Sequence, residues 1–241
     1  MARIDGREND QLRPVEIRPG INRFAEGSCL IRCGNTHVLC TASVEERTPP
    51  HVPEGEGWVT AEYSMLPRAN RERSRRDISK GKLSPRSAEI QRLVGRALRA
   101  AVDLKKLGAR TITIDCDVLQ GDGGTRTASV TGGFVALSYA CWKLVEEGVI
   151  PEMPITTCVA AVSAGIVDDV PMLDLCYEED SSAMVDLNCV MNHEGEIIEL
   201  QGTGEGRAFT IAEQRQLVDL CAKGIREIQA IQKAVLEGGD A

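Results

Sequence analysis

Gly121-Asp122-Gly123-Gly124-Thr125-Arg126-Thr127 joins a strand-like run to a helix-like one. Upstream, Thr111-Ile112-Thr113-Ile114-Asp115-Cys116-Asp117-Val118 alternates apolar and polar residues, the period of a half-buried strand. Downstream, Ala128 to about Leu144 reads as a helix. Glycines let backbone N–H groups turn toward an anion, and a helix N-terminus adds a favourable partial charge. Thr125 can donate its hydroxyl, and Arg126 can offer a two-pronged fork to a phosphate. The glycines alone also fit a plain strand-to-helix turn. No Lys-Ser or Lys-Thr pair follows at the spacing of a Walker loop.

Working outward, Ser84-Pro85-Arg86 opens a helix expected to run to about Lys105, with Ser84 at the N-cap and Pro85 first in the helix. Ile90, Leu93, Val94, Ala97, Leu98 and Ala101 share one face, and Arg92, Arg96 and Arg99 lie opposite. Arg86 falls nearer the apolar face and so needs a partner there, either an acidic side chain or an anion held jointly with Arg126. Before this helix, Arg68 to Lys82 carries Arg68, Arg71, Arg73, Arg75, Arg76, Lys80 and Lys82 against only Glu72 and Asp77. The segment reads as a solvated loop or as a surface for an RNA backbone.

Nearer the N-terminus, Arg7 to Arg23 reads as an extended entry segment. Gly27–Cys33 and Thr36–Ala42 flank Gly34-Asn35 as a hairpin, and Trp58–Tyr63 is a further strand. Thr156–Val167 reads as one strand or two, kinked near Ser163-Ala164-Gly165. Leu173–Tyr177 and Met184–Met191 read as a hairpin joined by Glu178–Ala183, which would set Asp174 opposite Asp186 with Asp180 just beyond. Like charges placed so need a cation between them, and magnesium suits one or two carboxylates plus substrate phosphates. An ordinary acidic turn fits the same residues. Glu196–Gln201 is a last strand. Thr210 and Glu213 form a capping box on a final helix whose stripe includes Leu217, Cys221, Ile228, Ile231 and Val235. The tail from Gly238 to Ala241 is expected to fray.

The 241 residues are long enough to bury a core, with only 3% aromatics to fill it. A net charge of −8 means that any RNA-binding surface must be local. Nine cysteines without a C-x-x-C pair exclude a zinc ribbon and argue against a disulfide framework; they read as small buried hydrophobes. His37, His51 and His193 have no nucleophile beside them. No apolar h-region follows Met1, and the longest weakly polar run, Ile155 to Val167, is too short to span a bilayer; the expectation is a cytoplasmic protein without membrane contact. The order of strands and helices suits one mixed α/β (α+β) domain over residues 1–241.

Long ordered matches then identify a resemblance. Gly57-Trp58-Val59-Thr60-Ala61-Glu62-Tyr63, Met65-Leu66-Pro67-Arg68-Ala69, Glu89-Ile90-Gln91-Arg92-Leu93, Asp122–Thr127, Glu179-Asp180-Ser181, Asp186-Leu187-Asn188 and Gln201-Gly202-Thr203 resemble the ribonuclease PH family of phosphate-dependent 3′-to-5′ exoribonucleases. The resemblance implies a single domain of mixed β-sheets with packed helices and β-α-β units, assembled as a hexameric ring, a trimer of dimers. It implies phosphate binding by Arg86, Gly124, Thr125 and Arg126, and catalysis by Arg126, Asp180 and Asp186, the two aspartates also holding magnesium. Arg68, Arg73 and Arg76 match a basic loop implicated in RNA contact, and Arg92, Arg96 and Arg99 are added here as RNA-facing candidates. The implied reaction uses inorganic phosphate as co-substrate, releases nucleoside diphosphates and is reversible. Its implied substrates are the 3′ ends of transfer RNA precursors, with ribosomal RNA as a second candidate. Two departures, Ser84-Pro85 before Arg86 and Gly204 after Gly202-Thr203, touch loop geometry and remove no functional group. Two rivals are a non-catalytic RNA-binding ring subunit of an exosome-like assembly and a metal-dependent hydrolytic nuclease; the arginine pair beside the carboxylates counts against both.

Overall fold

The computed structural model describes residues 3–238; the expected frayed tail lies outside them beyond Gly238, and the side chains of Ile78 and Lys80 are likewise outside the description. Nine strands form two sheets among these residues. The first contains β1 (Val15–Pro19), β2 (Gly27–Cys33), β3 (Thr36–Glu45), β4 (Trp58–Met65) and β5 (Thr111–Gln120), in the order β1-β2-β3-β5-β4. All its neighbours are antiparallel except β4 and β5, which run parallel and are joined by a crossover through α1 (Pro85–Arg99) and the short α2 (Leu104–Leu107). The second sheet contains β6 (Val159–Val167), β7 (Val170–Leu173), β8 (Val185–Asn192) and β9 (Ile197–Gly204), in the order β7-β6-β8-β9.

The layers follow from which faces are apolar. On β5, Ile112, Ile114, Cys116 and Val118 turn inward onto α3 (Thr125–Glu146), while Asp115 and Asp117 turn to the opposite face. α1 covers β4 on that same inner side, and α3 lies between the two sheets. A last helix, α5 (Ile211–Leu236), covers the far face of the second sheet with Leu217, Cys221, Ile225 and Ile228. Every residue of β6 is buried, as expected of a central strand packed on both faces, and the strand runs on as one piece through Ser163-Ala164-Gly165.

α3 is the only described helix with the length and mean hydropathy to cross a membrane, and it is enclosed in the core with 16 of its 22 residues buried. The expectation built on Ile155–Val167 passed over this stronger apolar run.

Local signals held where chemistry is local. Ser84 Oγ accepts from Ser87 N at 3.0 Å, and Thr210 and Glu213 close a reciprocal capping box. α1, however, ends at Arg99 rather than near Lys105, because Asp103 caps the new short helix α2 by accepting from Lys105 N and Lys106 N. The hairpin expected from Leu173–Tyr177 and Met184–Met191 does not exist. β7 ends at Leu173 and pairs with β6, which separates it from β8. Asp186 stands opposite Gly165 and Thr203, not Asp174. The expected joining loop begins with a helical turn, α4 (Tyr177–Asp180).

Candidate active site

The N-terminus of α3 is open. Gly123 and Gly124 have φ of 74° and 66°, so two successive left-handed residues deliver the chain into the helix, and no side chain caps it. Thr125 is buried, and its Oγ1 lies 2.8 Å from the Tyr63 hydroxyl. If Tyr63 donates, the Thr125 hydroxyl proton is free for a ligand. Burial pushes the Tyr63 phenol up, against the hydrogen bond to Thr125 and the nearby charges of Arg86 and Arg126, so the phenol stays a donor at neutral pH.

Arg126, the next residue, donates from Nη1 to Glu89 Oε1 at 3.0 Å and to Gln201 Oε1 at 2.9 Å. Arg86, in the first turn of α1, is exposed rather than turned toward the interior as its helical phase suggested, and it has no acidic side chain within ion-pair distance among the described residues. The acidic partner considered for Arg86 thus belongs to Arg126 instead, and it holds only one of that fork's nitrogens.

These groups meet the carboxylates in one cavity of about 350 Å³, lined by Arg86, Gly124, Thr125, Arg126, Ser163, Asp180, Ser181, Ala183, Asp186, Asn188 and Glu205. Asp180 is the last residue of α4 and Asp186 the second of β8. Burial raises the Asp180 carboxyl, with Arg86 and Arg126 pulling it back. Burial and then the charge of Asp180 push Asp186 up to about 6. Asn188 Nδ2 donates to Asp186 Oδ2 at 3.0 Å and holds it in place.

Two adjacent carboxylates of this kind fit magnesium, which prefers oxygen ligands and keeps substrate phosphates and waters in its shell. No group of three or more protein ligands suited to a metal is present among the described residues, so substrate and water would have to complete the set.

Several residues here were missed in the sequence. Ser163 Oγ is buried with no hydrogen-bond partner and lines the cavity beside Asn188, its register partner across the sheet. Alternation along β8 from Asp186 to Asn188 was the available signal. Gln201 follows from the next strand, where it pairs with Asn188.

The basic segment does not present one surface. Arg68 donates to the Arg71 carbonyl and lines a cavity of about 820 Å³ behind the glycine turn. Arg71 pairs with Glu178. Arg76 faces a third cavity of about 580 Å³ on the outer side of the first sheet, beside Glu62, Asp115 and Asp117. Arg73 is exposed. On α1, Arg92 is exposed, Arg96 pairs with Glu199 at 2.6 Å, and Arg99 folds back to the Val59 carbonyl at 2.7 Å and over the Trp58 ring. Arg99 therefore does not share the solvent face expected for all three.

Comparison with known proteins agrees with this architecture. The pattern of the 3′ exoribonuclease family, domain 1, matches residues 11–142, and that of domain 2 matches residues 157–223. The chain belongs to the 3′ exoribonuclease family. Within it, the chain is similar to proteins named ribonuclease PH: 54% identical over 237 residues to that of Syntrophomonas wolfei subsp. wolfei, covering 98% of this chain and 99% of the relative. The ribonuclease PH of Bacillus pumilus is 57% identical over 235 residues, covering 97% of each chain. Among solved structures, an archaeal exosome core matches with a TM-score of 0.76 at 25% identity, over 96% of this chain and 91% of that one.

Proposed function

We infer that the chain is a phosphorolytic 3′-to-5′ exoribonuclease, a phosphate-dependent nucleotidyltransferase acting on RNA, with transfer RNA precursor 3′ ends as substrate. One observation carries the assignment of the site: a single cavity holds an uncapped helix N-terminus, two arginines and two aspartates of raised pKa.

Inorganic phosphate sits on the free N–H groups at the start of α3, with the Thr125 hydroxyl, Arg126 and Arg86 around it. A phosphate oxygen attacks the phosphorus that links the last nucleotide to the chain. The bond to the 3′ oxygen of the preceding nucleotide breaks, and that oxygen leaves with a proton. The products are a nucleoside diphosphate and an RNA one residue shorter. Catalysis is mostly positioning and charge stabilisation, since phosphate must approach another anion in line. The two guanidinium groups offset that repulsion. Asp180 and Asp186 are the two candidates for that proton transfer, a carboxyl that serves as acid doing so in place of a metal ligand; with no cation bound, burial and the neighbouring carboxylate push Asp186 up to about 6. Magnesium, held by Asp180 and Asp186, would supply charge stabilisation at the leaving oxygen.

Residues 11–142 and 157–223 act as one unit on this reading, because the first carries the phosphate side of the cavity and the second the carboxylates. The chain assembles as a hexameric ring in the cytoplasm, which would gather Arg68, Arg73 and Arg76 from several copies around one RNA. Incubating the purified protein with a 3′-labelled RNA tests the chemistry. Cleavage should require phosphate and release diphosphates; monophosphates released without phosphate would reject it. Sedimentation at low micromolar concentration tests the ring.

A further inference from the structure

Arg13 lies outside the cavity, yet its side chain ties together the two segments that form opposite walls. Its Nε and Nη2 donate to Asp174 Oδ2 and Oδ1 at 3.0 and 2.6 Å, and its backbone N donates to Oδ2 at 2.8 Å. Its Nη1 donates to the Asp122 carbonyl. Asp122 immediately precedes the two glycines that open α3. Asp174 begins the passage into α4, which ends in Asp180. Both members of the pair are buried.

The two walls touch at this point. A Cβ on Gly123 would lie 2.5 Å from the Leu175 carbonyl oxygen, so the turn packs backbone to backbone on the stretch just after Asp174. Tyr177 N donates to Asp122 Oδ1 at 3.2 Å, a second tie in the same direction. Asp174 itself sits at φ 52°, a conformation unfavourable for most residues with a side chain; its N–H donates to the Ser163 carbonyl, its carbonyl accepts from Arg3 and Arg7, and its carboxylate is held by Arg13 with Arg7 Nη1 3.6 Å away. A buried ion pair is a weak source of stability compared with an apolar pair of the same size, and its best-supported use is to fix one geometry.

We propose that Arg13 and Asp174 are a positioning pair that sets the glycine turn against the α4 turn, and so governs how well the free N–H groups of α3 receive phosphate. The proposal rests on the functional reading above. Arg13 does not line the cavity; it acts on the turn through the Asp122 carbonyl, and its charge reaches Asp180 only weakly, behind Arg86 and Arg126. A small displacement of the turn misaligns every donor on it at once, and catalysis by positioning is sensitive to shifts of that size.

The test uses Arg13→Lys, Asp174→Asn and the compensating pair Arg13→Lys with Asp174→Glu in the full chain. Initial rates are read at varied phosphate and varied RNA, beside the melting temperature with and without phosphate. Each single variant should raise KM for phosphate about fivefold or more, with kcat at saturating phosphate within about twofold and KM for RNA unchanged. Phosphate should raise the melting temperature of the single variants less than that of the parent protein. The compensating pair should regain part of the phosphate affinity. Folded single variants with parental phosphate KM and a parental phosphate-induced melting shift would overturn the proposal and leave the pair a structural contact. Should Arg13→Lys not fold, Asp174→Asn decides by the same two readouts. Parental cleavage that ignores phosphate would strike the functional reading instead, and the melting shift would still decide the role of the pair.

Discussion

Arg126 and Glu89 share a hydrogen bond of 3.0 Å at the mouth of the cavity, and Gln201 takes the same guanidinium nitrogen at 2.9 Å. Glu89 is 40% exposed, so solvent screens its charge, while Gln201 can hold the fork alone. Glu89→Gln should therefore lower KM for phosphate by about two- to threefold, since a negative charge leaves the site and the aim of Arg126 is kept. Initial rates at varied phosphate check this. A raised KM would mean that Glu89 aims the fork.

Arg126→Ala removes at least one charge-assisted hydrogen bond to phosphate, worth about 1.5–3 kcal/mol. kcat/KM for phosphate should fall by about one to two orders of magnitude, with the melting temperature in phosphate-free buffer nearly unchanged. Arg126→Lys should recover only part of the loss, because an ammonium group cannot reproduce the fork.

Acid should loosen the contacts that hold the N-terminal segment. Burial alone would raise Asp174, but Arg13 outweighs it and the carboxyl sits below its ordinary 3.8. Glu179 behaves in the same way, with Arg3 holding it below 4.5. Folded values below unfolded ones mean stability that is present above these ordinary values and lost as pH falls through the lower folded ones. Breaking the buried pair by Asp174→Ala should cost about 3–5 kcal/mol in urea unfolding at neutral pH. The difference between variant and parent should shrink on acidification below about pH 4. A difference that stays constant to the most acid pH would contradict this assignment.

Divalent cation binding should follow the two cavity aspartates. Magnesium should raise the melting temperature of the parent protein more with phosphate than without it, because substrate oxygens complete the shell. Asp180→Asn and Asp186→Asn should each abolish most of that added shift. Shifts retained in both variants would place the cation elsewhere.

Gly123→Ala should be among the most damaging of small changes. The position combines φ of 74° with a backbone oxygen 2.5 Å from where a methyl group would go, so the turn must move. Both the melting temperature and the phosphate affinity should fall.

What the sequence revealed and concealed divides along physical lines. The turn before α3, the Ser84 cap and the Thr210–Glu213 box depend on neighbours within a few residues, and each was readable. Strand partners are a different matter. Leu173–Tyr177 alternates as a strand would, and nothing in that run says that β7 joins β6 rather than β8. Asp174 was consequently read as one of a repelling pair, when it is neutralised by a residue 161 positions away. Arg99 shows the same limit. Helical periodicity set it on the solvent face, but its long side chain bends back over Trp58. The local pattern pointed to the turn with Arg126, to Arg86 as its partner on an anion and to Asp180 and Asp186 as a carboxylate cluster, each beside a plain structural alternative; the resemblance is what assigned their roles.

None of the nine thiols is in a disulfide, eight of them are buried, and burial pushes Cys33, Cys141 and Cys158 up to about 12. Thiolate is the reactive form; burial disfavours it at Cys33, Cys141 and Cys158, and eight of the nine sulfurs are shut away from solvent by the fold. Alkylating reagents should thus find little to modify until the polypeptide opens globally. The interior carries its own chemical clock of unfolding, spread through both β-layers and requiring no added probe.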